Sequence, residues 1–341
     1  MDFGFNDEQQ AIRDTAREML TKRSPLSRVR EHAEAGTRDE ELWSEICELG
    51  WPGIAIPEEH GGQGLGAVEL AILCEELGYA CAAVPFLSNA HAGILIAGNG
   101  SDEQKSRWLP GIASGEARGA AAFEPSEPAT VLDADDAAVL VLAACPHGEN
   151  GVVAEPSDAD LTDLDLIDAT RSYAKATASG GDPLPSAEIE HLARGTVAIA
   201  AELVGVAQRS LDMAVDYAKE REQFGRPIGA YQAVSHRCAD MLWDVEEARS
   251  LTLYAAWCAD AEPESLAYAA HMAKARASDA GWSVTSAALQ VFGGIGFTWE
   301  HDLQFLLKRA RVDGELLGSA RAHRDRLADF AGLAEPAATR A

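Results

Sequence analysis

The sequence predicts a mainly α protein with a small β region in its middle, and three observations carry that prediction. Apolar residues recur at helical spacing from the N-terminus to about residue 114. They do so again from about 186 to 331. Between these stretches lie two short apolar runs, 137–144 and 151–154, set in acidic, turn-rich sequence. The expected organisation is an all-helical N-terminal domain over 1–118, a small β domain over 119–185, a C-terminal four-helix bundle over 186–332 and a flexible tail over 333–341.

The elements follow in order. A helix is expected over 6–35, with Asn6 and Gln9 forming a capping box and Ile12, Ala16, Met19 and Leu20 on one face. A second covers 38–49. Trp51 to Pro57 is too short and Pro-rich for a helix. Gly62, Gly64 and Ala67 fit a GxGxxA dinucleotide fingerprint in letters only, because no buried strand precedes them. They read as a loop opening the next helix. Helices are expected over 67–80, 84–98 and 102–114, with Pro110 near the end of the last. The acidic runs Asp133–Asp136 and Glu155–Asp165 read as solvated loops. The bundle helices are expected from 186, from Tyr231, over 262–291 and over 299–317. Glu188 and His191 form the only credible Glu-x-x-His within the bundle, too little for a carboxylate-bridged metal site.

Composition narrows the partners. The chain has 341 residues, 47% of them hydrophobic, enough for sizeable cores. A formal charge of −27 argues against nucleic acid and anionic membrane surfaces. It also requires a local basic patch for any anionic ligand. The six cysteines (Cys47, Cys74, Cys81, Cys145, Cys238, Cys258) show no metal spacing and read as reduced thiols of a cytoplasmic protein. The first residues lack a signal-peptide pattern, and no apolar run is long enough for a membrane span.

Between the first two bundle helices runs Arg221-Glu-Gln-Phe-Gly-Arg-Pro-Ile-Gly-Ala-Tyr-Gln232. Pro227, Gly225 and Gly229 must break the helix there. Arg221, Phe224 and Gln232 can hold a phosphate, a flat ring and a polar edge. The spacing alone leaves open an ordinary helix–helix turn with an exposed arginine.

This segment resembles the one by which acyl-CoA dehydrogenases reach across a subunit interface to a neighbour's FAD. Gln290-Val-Phe-Gly-Gly-Ile-Gly-Phe297 resembles the same family's pyrophosphate-contacting turn, with Gly293, Gly294 and Gly296 in place. Gly50 to Gly66 resembles its N-terminal signature. The resemblance implies FAD as cofactor, an acyl-CoA thioester as substrate and an electron-transfer acceptor. It implies contacts to FAD from Arg221, Phe224, Gln232, Gln290, Gly293 and Gly294.

Two features depart from the family. Its middle-domain signature is reduced to Glu124 and Pro125 within Ala122–Ala129, and 120–185 is too short for a full small barrel. The position of the usual catalytic glutamate holds Leu317, and Glu315 would point elsewhere. The alternative base position, counted back from Gly205, holds Gly195. Glu202 shares that face of the helix in an apolar stretch, where a carboxylate with a raised pKa could act as base. The preferred alternative pairs Glu202 with Arg209 or with an arginine on a neighbouring helix. Taken together, the resemblance implies a subunit that completes the FAD site of a longer paralogue in a two-plus-two complex, of the kind acting on steroid-derived thioesters. A self-sufficient homo-oligomer with a displaced base is the alternative.

Overall fold

The computed structural model describes residues 4–122, 128–142, 151–184 and 189–333. The Glu124–Pro125 remnant, Cys145, Glu188 and the tail from 334 lie outside them. The chain is mainly α, with two small sheets in the middle of the sequence.

The N-terminal helices are α1 (Asp7–Arg23), α2 (Leu26–Ala35), α3 (Glu40–Glu48), α4 (Ala67–Ala80), α5 (Phe86–Asn99) and α6 (Asp102–Ser114). The capping box forms, with Gln9 N donating to Asn6 Oδ1 at 2.8 Å. The single helix expected over 6–35 is two. Pro25 pushes Ser24 out of the helical region, and the helix restarts behind it. Pro110 does not end α6, which runs to Ser114 and stops on left-handed Gly115. Pro110 is exposed, so the carbonyl deprived of its helical donor is left on the solvent side.

The glycine cluster opens α4, as expected of a loop. The amides of Ala67 and Val68 donate to the carboxylate of Asp260, at 2.9 and 3.2 Å. Glu69 accepts from Gly66 N. The anion site at this helix N-terminus is therefore already filled by the protein's own carboxylates.

Strands β1 (Gly119–Ala121), β3 (Val139–Leu142), β4 (Val152–Ala154) and β7 (Asp182–Pro183) form one sheet in the order β1-β3-β4-β7. Strands β2 (Ala129–Leu132), β6 (Tyr173–Ala178) and β5 (Ala159–Leu164) form the other. An Ala122–Val131 bridge joins them. Two acidic segments are corrected here. Residues 159–164 are an edge strand, its outer positions carrying Asp160 and Asp163 and blunting the open edge. Asp133 is buried and accepts from Ser88 Oγ at 3.0 Å.

The C-terminal helices are α7 (Ile189–Glu220), α8 (Gln232–Ala261), α9 (Pro263–Phe292), α10 (Leu303–Asp313) and α11 (Ala320–Phe330). The fourth bundle helix is shorter than expected at both ends, and α11 follows as a separate element. Helix α7 is the spine, packed on α4, α8, α9 and α10 through alanines, leucines and valines. At Gly78 and Gly205, α4 and α7 touch backbone to backbone: a Cβ at Gly78 would lie 2.2 Å from Glu202 O.

Candidate functional site

At one end of the bundle the Arg221–Gln232 stretch folds as a tight hairpin, not merely a helix break. Glu222–Gln223 (β8) pairs with Arg226–Pro227 (β9) across the two-residue loop Phe224-Gly225. Both loop residues are left-handed, at φ +54° and +78°, as such a loop requires. Arg226 lies over the Tyr231 ring at 4.0 Å, and Tyr231 Oη donates to Gln223 O at 3.1 Å. Phe224 is 93% exposed, with an edgewise contact to Tyr231. Arg221 and Gln232, the first residue of α8, are exposed.

The second motif sits at the same end. Tyr217, whose carbonyl accepts from Arg221 N, lies against Phe292 with ring centroids 4.6 Å apart and planes tilted by 35°. Phe292 closes α9, and Gly293 follows at φ +64°, ψ −140°, a conformation open essentially to glycine. A Cβ at Gly293 or Gly294 would meet nothing within 4 Å. Gln290 is exposed beside them. Thus the structure brings Arg221, Phe224, Gln232, Gln290, Gly293 and Gly294 to one outward-facing surface. This surface offers a guanidinium, two amides, an aromatic face and open backbone. This surface does not enclose a ligand by itself.

The positions expected for a base tell a different story. Leu317 adopts φ +54° in the loop after α10, partly buried against the core. Buried Lys274 fixes that loop, donating to Gly314 O, Gly318 O and Ser278 Oγ at 3.0–3.1 Å. Burial pulls its ammonium down to about 8. Glu315 is exposed and pairs with Arg311. At Gly195, a Cβ would fall 2.0 Å from His91 Nδ1, so a buried imidazole from α5 fills the space a side chain there would need.

Glu202 is 2% exposed. Its surroundings are those of the preferred alternative, a pairing with an arginine on a neighbouring helix, and not the apolar pocket that would make it a base. Arg309 Nη1 donates to its Oε1 at 2.7 Å, and Arg171 Nη2 donates to the same atom. Arg309 also donates through Nε to Asp168 Oδ2 at 2.7 Å, and to Thr170 Oγ1. Arg171 Nη1 reaches Asp313 Oδ1 at 3.1 Å. Burial alone would raise the Glu202 carboxyl. The two guanidiniums and their hydrogen bonds bring it below the ordinary glutamate value, the opposite of the expected direction. Asp313, buried beside the Glu202 charge, is pushed up to about 7. Arg209 turns instead to Tyr79 Oη, at 3.4 Å.

The network joins α7, α10, the loop between β5 and β6, and the carbonyl of Ala82. Beside it lies a cavity of about 10 Å³, lined by Cys74, Leu77 and Phe86 among others. That is room for one water at most. Sequence reasoning missed Arg309 and Asp313, although both lie on the apolar stripe of α10 with Leu306 and Ala310. Among the described residues, no group of His, Cys, Asp and Glu could hold a metal ion, and no helix is long and apolar enough to cross a membrane.

Two family models match the chain: the acyl-CoA dehydrogenase N-terminal domain over residues 6–116, and the acyl-CoA dehydrogenase C-terminal domain over 186–332. The chain is 34% identical to acyl-CoA dehydrogenase IpdE2 of Mycolicibacterium smegmatis over 334 residues, 95% of this chain and 98% of that protein. It is 34% identical to acyl-CoA dehydrogenase IpdE2 of Mycobacterium tuberculosis, covering 92% and 94%. A solved variant of the Tcur3481–Tcur3483 steroid ACAD is 30% identical, with a TM-score of 0.86 over 96% of this chain and 98% of that one.

Proposed function

Because the chain belongs to the acyl-CoA dehydrogenase family, we propose that it is the clamping subunit of an FAD-dependent, two-plus-two complex that dehydrogenates an acyl-CoA thioester. FAD is the cofactor of that family and, when bound, accepts the hydride from the thioester's Cβ. In this reading the outward surface of Arg221, Phe224, Gln232, Gln290, Gly293 and Gly294 holds the outer part of an FAD seated in a longer paralogous partner. The partner supplies the flavin wall and the base. The observation that carries the reading is Glu202, locked between two arginines beside a space of about 10 Å³. A base must reach the Cα proton of a bound thioester, and no thioester fits there. Leu317 cannot accept a proton, and His91 fills the place at Gly195. The likeness to a Tcur3481–Tcur3483 steroid ACAD supports a bulky, steroid-derived acyl group and a two-chain assembly.

Co-expression tests it. The full chain alone should purify colourless, and the complex with its longer paralogue should carry one FAD per pair. A yellow, dye-reducing preparation of this chain alone would instead make it a self-sufficient enzyme. Arg221→Ala should weaken flavin retention in the complex by about 1.5–3 kcal/mol, through loss of a charge-assisted phosphate contact. Unchanged occupancy would remove Arg221 from the clamp.

Glu202→Gln separates structure from catalysis. Turnover per assembled complex is expected to stay within about twofold of the parent, because the loss of a general base costs about 10²–10⁴-fold. A drop of that larger size in a fully folded complex would make Glu202 the base after all.

A further inference from the structure

Helix α11 is held to the bundle in an unusual way. His323 is its one buried residue, 4% exposed. The His323 ring meets that of His271, half-buried on α9, with the two Nδ1 atoms 2.7 Å apart. That contact needs one donor and one acceptor, so it holds only while at least one of the two Nδ1 atoms is unprotonated. The other ties are at the margin. Arg324 pairs with Asp279, and Phe330 lies against Tyr268 and His271 at 5.7 and 6.0 Å between centroids.

We propose that His271 and His323 form a proton-sensitive latch that docks α11 on α9 and releases it on acidification. The charges acting on the pair favour release. Lys274, on α9, acts on His323, and Arg326, on α11, acts on His271. Asp313 and Glu315, from the end of α10 and the loop after it, act on Lys274. Arg324 is already paired with Asp279. Burial, with these cations, pulls His323 down to about 3 and His271 below the ordinary histidine value. A depressed histidine gives docking that is complete above its free value of about 6.5 and weakens as pH falls below it. Release also reaches the neighbouring loop. Helix α11 starts two residues after Gly318, whose carbonyl Lys274 holds, and Leu317 sits beside it in its left-handed conformation.

Hydrogen–deuterium exchange of the full chain tests the latch, read on peptides spanning 320–330 at pH 7.5 and 5.5 and corrected for intrinsic exchange. Protection is expected to fall at least about tenfold at pH 5.5, one unit below the free histidine value. His323→Phe should keep α11 protected and flatten the pH response. Should that variant not fold, His271→Phe is read in the same way. Equal protection at both pH values would overturn the latch, as would an undiminished pH response in the phenylalanine variant.

Discussion

Arg309→Met is expected to cost about 3–5 kcal/mol of stability, measured by denaturant unfolding of the full chain near neutral pH. Arg309 is fully buried and joins Asp168, Glu202 and Thr170. Methionine roughly keeps the volume of the aliphatic stem. It leaves Asp168, Glu202 and Asp313 in the interior with one guanidinium, Arg171, bonded to the last two. Removing one partner of a buried ion pair strands the other's charge, and that desolvation is the larger part of the loss. The pH profile should change with it. Glu202 and Asp168 are held below their ordinary values, so their contribution is present above the usual carboxylate range and is lost as pH falls through the folded values. Asp313 has the opposite sign. Raised to about 7, it stabilises at low pH and loses that contribution as pH rises through about 7. The variant should therefore lose stability mainly on the neutral side and show a shallower acid limb. A cost below about 1 kcal/mol would mean that these charges are solvated.

How much of this was legible in the sequence depended on the range of the interaction. The helices were legible because the 3.6-residue apolar period and local caps such as Asn6–Gln9 are written within a few residues. The helix over 102–114 runs past Pro110 within the bounds expected, whereas the restart at Pro25, where the proline takes Ser24 out of the helical region, was missed. Strands β1, β2 and β6 were missed because each takes a partner distant in sequence, as Gly119 pairs with Val139 and Thr130 with Lys175. In the site, the residues from Arg221 to Gln232 could be named from their motif, but their exposure could not. The carboxylate candidate failed for the same reason. Val197 to Val206 reads as apolar apart from Glu202, yet Arg171 and Arg309 reach Glu202 from two other segments. The charged residues on the apolar stripe of α10 were the one local sign that something buried needed neutralising. Nothing near Gly195 announces that His91 fills its side-chain space.

Gly205→Ala is the second large effect, and its sign runs against helix propensity. Within a helix, alanine is ordinarily favoured over glycine by about 1 kcal/mol. Here the added Cβ would lie 1.9 Å from Glu75 O and 2.6 Å from Tyr79 N, both backbone atoms of α4. No rotamer can relieve that contact, so α4 and α7 must move apart where Gly78 and Gly205 now let their backbones touch. The expected cost is about 3 kcal/mol or more, at or above the upper end for overpacked cores. Such a separation also disturbs Glu202, one turn away on α7, whose carbonyl faces Gly78. The double variant with Arg309→Met should therefore lose less than the sum of the two single losses, because the network can be broken only once. Gly294→Ala is the matched control. Its Cβ meets nothing within 4 Å, so stability should change by no more than about 0.5 kcal/mol. If Gly205→Ala behaved like Gly294→Ala, the close crossing of α4 on α7 would be wrong, and with it the tight floor that leaves no room for a thioester beside Glu202.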